Sequence, residues 1–216
     1  MAKESLKLYA YNLIKEKIIS CEYPPGTLLN EELLREEFNV SRTPIRDALS
    51  RLEQEGLITI LPKKGIMVSS LSLGELNMIF EIRLLFEPYA VMNYGYTFDG
   101  NALLEYYQLF SQPIEKLSNL DIYALDDRFH AMIMDSVPNT YMKQCNSMIH
   151  NQNLRFRVMT GNCTSERLIR THQEHLDIIK ACLKKDWPGA SDAMKKHLLE
   201  SKNSTFELLL NTPKLN

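Results

Sequence analysis

The chain has 216 residues, 44% hydrophobic and 24% charged, with a formal net charge of −2. That length allows one or two domains and a sizeable core, and the composition is ordinary for a globular protein. The near-neutral balance excludes a bulk-basic, indiscriminate nucleic-acid binder. Cys21, Cys145, Cys163 and Cys182 show no Cys-x-x-Cys spacing. They read as reduced cytosolic thiols rather than a disulfide framework or a thiolate zinc site. No apolar run reaches membrane-spanning length, and Met-Ala-Lys-Glu-Ser is not a signal peptide. The expected location is cytoplasmic, with no membrane partner.

Residues 6–20 form a first helix, with Leu8, Leu13, Ile14, Ile18 and Ile19 apolar, ending before Tyr-Pro-Pro-Gly at 23–26. Asn30–Phe38 is a short amphipathic helix, and Asn39 suits the left-handed residue of a tight turn. A second helix follows at once. Ser41 is a candidate N-cap whose hydroxyl accepts from a first-turn N–H. Pro44 sits in the first turn, where its missing N–H costs nothing. Ile45, Ala48, Leu49 and Leu52 recur at helical spacing and face a core. Arg42 and Arg46 project together on the other side, and Gly56 supplies the stop. Helix, short turn and helix is the grammar of a helix-turn-helix. Residues 57–60 and 66–69 are β-prone and flank Leu-Pro-Lys-Lys-Gly. They predict a hairpin wing with a basic tip, Lys63 and Lys64, and a turn glycine, Gly65. Residues 1–70 hold ten basic and ten acidic side chains. Placement therefore matters more than net charge: the bases Arg42, Arg46, Arg51, Lys63 and Lys64 come late, and acids crowd 31–37. One basic face on a neutral module suits specific DNA binding.

The string Pro-Pro-Gly-Thr-x-Leu, then Glu-x-x-Leu, then Val-Ser-Arg-Thr-Pro-Ile-Arg-Asp-Ala-Leu-x-Arg-Leu-x-x-Glu-Gly-Leu-Ile, then Lys-Lys-Gly-x-x-Val resembles the winged helix-turn-helix of GntR-type bacterial transcription regulators. The likeness covers residues 6–70. It implies a recognition helix at 42–55, a wing glycine at Gly65, and DNA contacts from Ser41, Arg42, Thr43, Arg46, Lys63, Lys64 and Gly65. One departure stands out. The family often places a DNA-contacting arginine near the start of the preceding helix, and here that helix begins Asn30-Glu31-Glu32.

Beyond residue 70 the pattern is helical. Ser72-Leu-Gly-Glu75 reads as a capping box, and helices are placed near 73–94, 100–118, 121–136, 139–160, 165–185 and 188–210. Pro88 should kink the first of these and Pro113 splits the second. The fold class is mainly α: a winged helix-turn-helix over residues 1–70 and an all-helical bundle over 71–216.

One constellation in the bundle carries chemistry. Asp126 and His130 are four apart on one helix, and His175 and His197 lie on two others. Converging, they would hold a divalent metal. By spacing alone the signal is weak, and buried or solvated histidines are the favoured reading. The strings Leu-Asp-Asp-Arg-Phe-His130, Glu-His175-Leu-x-Ile-Ile-x-Ala and Met-Lys-Lys-His197-Leu resemble the FCD effector domain of FadR-like GntR regulators. That resemblance implies a metal site made of Asp126, His130, His175 and His197, and imidazole ligands suit zinc or nickel. His150 and His172 match no ligand position, and His172 reads as a surface histidine. Arg83, in Glu-Ile-Arg-Leu-Leu-Phe-Glu87, has two readings: an i,i+4 ion pair with Glu87, or an effector-pocket arginine for an acidic ligand.

Three functions fit these features. A metal-dependent enzyme leaves the DNA-reading module unexplained, and no separate general base or nucleophile stands near the histidines. A structural nucleic-acid binder leaves the complete tetrad unexplained. A homodimeric transcription regulator, binding operator DNA and answering to a small carboxylate through a metal-containing helical domain, accounts for both halves.

Overall fold

The structure, a computed structural model, describes residues 3–160 and 164–210. Cys163 lies outside the described residues. Two compact units are present: residues up to Ser72 together with His150–Met159, and Leu73–Ile149 together with residues from Thr160 onward.

The first unit contains α1 (Lys3–Ile19), β1 (Leu28–Leu29), α2 (Glu31–Phe38), α3 (Arg42–Gln54), β2 (Ile58–Leu61) and β3 (Gly65–Val68). Ala10, Ile14 and Ile18 repeat every four residues along α1, so they share a face. That face is fully buried, as are Ile45 and Leu52 of α3, and all belong to one core with Ala48 and Leu49. Truncating such a residue, Leu52→Ala for instance, costs ~2–5 kcal/mol through lost burial and the cavity left behind. Asn39 turns the chain between α2 and α3 with φ 51° and ψ 48°, as its side-chain chemistry allows. Gly56, at φ 70°, ends α3. Ser41 occupies the N-cap of α3 but makes no side-chain capping bond, so the expected cap is absent and the hydroxyl stays exposed.

The sheet order is β1-β3-β2, and both pairings are antiparallel. The wing strands fall within one residue of their predicted places. The two-residue β1, which pairs Leu28 with Met67 and Leu29 with Ile66, has no alternating pattern to announce it. Its closeness explains Gly65: φ is 119°, and a Cβ there would stand 2.7 Å from the Leu29 carbonyl oxygen.

The second unit is built from α4 (Leu73–Tyr94), α5 (Gly100–Phe110), α6 (Asn119–Asp135), α7 (Thr140–Thr160, its last turns in the first unit), α8 (Ser165–Leu183) and α9 (Trp187–Leu210). α4 lies along α9, α9 along α8, α8 along α5, and α6 along α4. The helix expected over 100–118 stops at Phe110, and a 3-10 turn, Ile114–Lys116, follows Pro113. A proline there has no N–H for the helical ladder and clashes with the preceding turn. α4, by contrast, runs unbroken through Pro88. Ser118 and Asp121 form a reciprocal capping box that fixes the start of α6. Val91, Leu103, Phe110, Phe129, Ile178, Met194 and Leu198 share the core between these helices. Within the first unit, the buried Arg155 of α7 donates to the Ser69 carbonyl, and Gln152 Nε2 donates to the Gly56 carbonyl at 2.9 Å.

Candidate functional site

Two constellations stand out, one in each unit. In the first, α3 buries Ile45, Ala48, Leu49 and Leu52 and turns Arg42, Thr43 and Arg46 to solvent, next to the exposed Ser41. Lys63 and Lys64 are exposed at the wing tip. A cleft of about 700 Å³ separates wing from helices, lined among others by Asn30, Glu31, Arg46, Lys63 and Lys64. Neither arginine stands alone. Arg46 Nε donates to both carboxylate oxygens of Glu31, at 3.2 and 3.0 Å. Arg42 Nη2 donates to Glu32 at 3.4 Å, and its Nε lies 3.6 Å from Glu31. The sequence places these acids on the preceding helix but does not reveal their pairing.

In the second unit, α6 supplies Asp126 and His130, α8 supplies His175 and α9 supplies His197. All four are buried, and their ligating atoms lie within 4.8 Å of one another. His130 Nε2 is 3.3 Å from His175 Nε2 and 3.2 Å from His197 Nε2. Asp126 Oδ1 is 3.3 Å from His175 Nε2 and 3.8 Å from His130 Nε2. Donors ~2.0–2.1 Å from one ion stand roughly 3 Å apart, so this spacing fits a metal-binding set.

Tautomer logic strengthens the fit. His130 Nδ1 lies 2.5 Å from Glu87 Oε2, and His197 Nδ1 lies 2.8 Å from Glu174 Oε2. Ionised carboxylates only accept hydrogen bonds, so both Nδ1 atoms carry the proton. In neutral rings the two Nε2 atoms then present bare lone pairs to each other, beside a carboxylate. A shared cation satisfies that arrangement. Each carboxylate is in turn held by an arginine. Arg83 Nε donates to Glu87 at 2.6 Å, and Arg167 donates to both oxygens of Glu174 at 2.8 and 3.2 Å. Such outer partners orient metal-binding histidines. His175 is the exception: its Nδ1 is buried with no hydrogen-bond partner among the described residues. Its orientation comes from packing, against the rings of Phe110 and Phe129 at 4.5 and 5.2 Å between centroids.

The electrostatics agree. Burial holds His175 well below the ordinary histidine value, aided by the nearby His197. Burial also lowers His197, against the opposing pull of Glu174. Both rings are therefore neutral at pH 7, the form that coordinates metal. Burial would raise Glu87 and Glu174, but Arg83 and His130 on one, and His197 and Arg167 on the other, bring both below the usual carboxylate range.

Arg83 forms the ion pair with Glu87 and is itself buried. Its Nη2 lies 3.4 Å from His130 Nδ1. Because that nitrogen already donates to Glu87, the proximity is not a hydrogen bond. Among the described residues no partner is found for Nη1. His172 is buried rather than at the surface, packed edge-on against Phe110. Burial pushes the Cys182 thiol up to about 12, which leaves it unreactive. Glu174 and Arg167 were not picked out by sequence reasoning. Their spacing of seven puts them on one face of α8, but solvated surface pairs share that spacing.

Residues 6–68 match the family described as "Bacterial regulatory proteins, gntR family", and residues 78–200 match the FCD domain. The chain is 30% identical over 209 residues to the HTH-type transcriptional repressor RspR of Escherichia coli K12, covering 92% of this chain and 88% of that protein. It is 29% identical over 204 residues to the HTH-type transcriptional repressor GlaR of the same organism, covering 89% and 92%. A solved structure described as a putative transcriptional regulator GntR from Rhodococcus sp. RHA1 superposes with a TM-score of 0.76 at 17% identity, covering 94% of this chain and 98% of that one. That likeness is one of fold. Among the described residues, no helix is long and apolar enough to cross a membrane.

Proposed function

We propose that this chain, which belongs to the gntR family of bacterial regulators and carries an FCD domain, is a metal-containing repressor that senses a small organic acid. It is a DNA-binding transcription regulator, not an enzyme. Repression is supported by the relatives RspR and GlaR, both described as transcriptional repressors. In this reading residues 1–70 grip operator DNA and residues 71–216 take the effector, inside the cytoplasm where the operator lies. Ser41, Arg42, Thr43 and Arg46 enter the major groove, with bidentate arginine reading guanine. Lys63, Lys64 and the Gly65 backbone meet phosphates.

The observation that carries the sensing half is the convergence of Asp126, His130, His175 and His197 within 4.8 Å. These four would hold zinc or nickel, ions suited to imidazole ligands. A bound ion supplies a Lewis-acid point for a carboxylate. Arg83, with Nη1 free of protein partners among the described residues, would pair with the same ligand's charge.

Palindromic operators require a two-fold dimer. α4 offers a seam for one: Met78, Leu85, Tyr89 and Met92 are exposed at spacings of seven, four and three, the rhythm of helices that pair side by side. Effector binding then biases the equilibrium between dimer arrangements that bind the operator well or poorly.

The test is elemental analysis of the purified chain, followed by thermal shift with zinc or nickel and a panel of small carboxylates. The proposal expects a divalent ion in the protein and a carboxylate that raises stability only while the ion is present. Chelated protein that takes up no divalent ion at neutral pH defeats the metal site. Carboxylate binding indifferent to chelation reduces the ion to structural support.

A further inference from the structure

α2 places two acids beside the two arginines of α3. Glu31 is half-buried, with 27% of its side chain exposed, whereas Arg46 and Arg42 are 66% and 62% exposed. The more rigid partner is therefore the carboxylate. Asn30 caps α2, accepting from the Glu32 N–H at 2.8 Å, which fixes the first turn from which both acids project. Carboxylates there also suit the positive end of the helix.

The geometry of the grip matters. Both contacts from Arg46 to Glu31 use Nε. Among the described residues no hydrogen-bond partner is found for the terminal Nη1 and Nη2 edge of this exposed side chain, and that edge can form two parallel bonds with O6 and N7 of guanine. A carboxylate here has a second effect. It cancels much of the arginine charge that any phosphate would attract, and it repels phosphates itself. Loss of one net phosphate contact costs non-specific binding far more, in proportion, than it costs binding that also reads bases.

We infer that Glu31 is a specificity-determining residue: it holds Arg46 by Nε, aims its terminal edge at base edges, and suppresses sequence-independent binding. The inference rests on the reading of α3 as the recognition helix. Glu31 touches no base in this account and acts through the arginines as a positioning residue.

The test uses the full chain as parent, Glu31→Gln, Arg46→Ala and the double variant. Two probes are used: a random-sequence duplex pool of ~30 bp, and a duplex the parent enriches from that pool. Binding is measured from about 50 to 200 mM salt. Glu31→Gln should bind the random pool roughly fivefold more tightly near 0.15 M salt, with a log–log salt slope steeper by about 0.9, the value of one added phosphate contact. Its preference for the enriched duplex should fall. Arg46→Ala should lose preference for the enriched duplex, and the Glu31→Gln gain should shrink in that background. A variant that has merely lost structure weakens on both probes, opposite in sign on the pool, and overturns the inference. So does an unchanged pool affinity, or a gain equally large without Arg46. If Arg46→Ala matches the parent on both probes, the recognition-helix reading itself fails, and the inference falls with it.

Discussion

Glu174 stands between two partners, accepting from Arg167 at 2.8 Å and from His197 Nδ1 at 2.8 Å. The carboxylate fixes the His197 tautomer, so Nε2 is left bare toward His130. Glu174→Gln keeps the size and an accepting oxygen but loses the charge that raises the basicity of His197. Zinc affinity should fall ~10–100-fold, the usual cost of losing an outer partner of a metal-bound histidine. Competition titration with a chelating dye measures it. Unchanged affinity would show that packing alone orients His197.

Glu87→Ala should behave differently. Arg83 and Glu87 are both buried, and removing the carboxylate strands the guanidinium. Breaking a buried pair costs ~3–5 kcal/mol, so the helical unit should melt earlier with or without zinc. A denaturant midpoint equal to the parent's would mean that Arg83 finds water or another acid.

The chelated protein should lose stability as the pH falls below neutral. Burial lowers His175, His197 and His172 in the folded state from the ordinary 6.5. A base with a depressed folded pKa takes up protons more readily when unfolded, so its contribution is intact above about 6.5 and is lost progressively as pH falls from there through the lower folded value. Glu87 and Glu174 are also depressed, from 4.5. Their contribution is lost in turn below about 4.5. Denaturant midpoints in chelator should therefore fall from about pH 6.5 downward, and more steeply below about 4.5, where the carboxylates add their loss to that of the histidines. A midpoint that rises between pH 7 and 5 would contradict the neutral-histidine assignment.

Much of this was legible in the sequence because the signals are local. The α3 stripe, Asn39 and Gly56 each follow from one residue's conformational preference or a helical period. The convergence of Asp126, His130, His175 and His197 was legible only through their motif context, since spacing within one helix says nothing about which faces of three helices meet. Glu174 and Arg167 illustrate the same limit: on α8 they resemble a solvated pair until α9 brings His197 alongside. β1 escaped because two residues cannot display a period. The Ser41 cap failed for a different reason, since an N-cap position permits a capping bond without enforcing one.

On DNA, Arg46→Ala and Lys64→Ala should separate reading from gripping. Losing a bidentate base contact costs ~1–3 kcal/mol on the cognate site and relaxes preference at one base pair. Losing Lys64 should weaken all duplexes alike and lower the salt slope by about 0.9. Equal behaviour of the two variants would put both side chains on phosphates.

The α4 seam sets up the remaining prediction. Leu85 is 61% exposed, and Met78 and Met92 are 58% and 45% exposed, a run of large apolar side chains left open to solvent among the described residues. Exposed leucines are common singly, but an aligned series at helix-pairing spacing is the pattern expected of an association face. Leu85→Glu introduces a charge that solvent tolerates in a monomer and that two apposed helices do not. In a two-fold pairing each substitution acts twice. Leu85→Glu should therefore yield a monomer by light scattering at tens of micromolar, keep its helical circular dichroism, and bind a two-half-site operator far more weakly than the parent. Its affinity for a single half-site should be little changed, because α3 and the wing are untouched. A Leu85→Glu protein that remains dimeric would move the interface to another face of the helical unit.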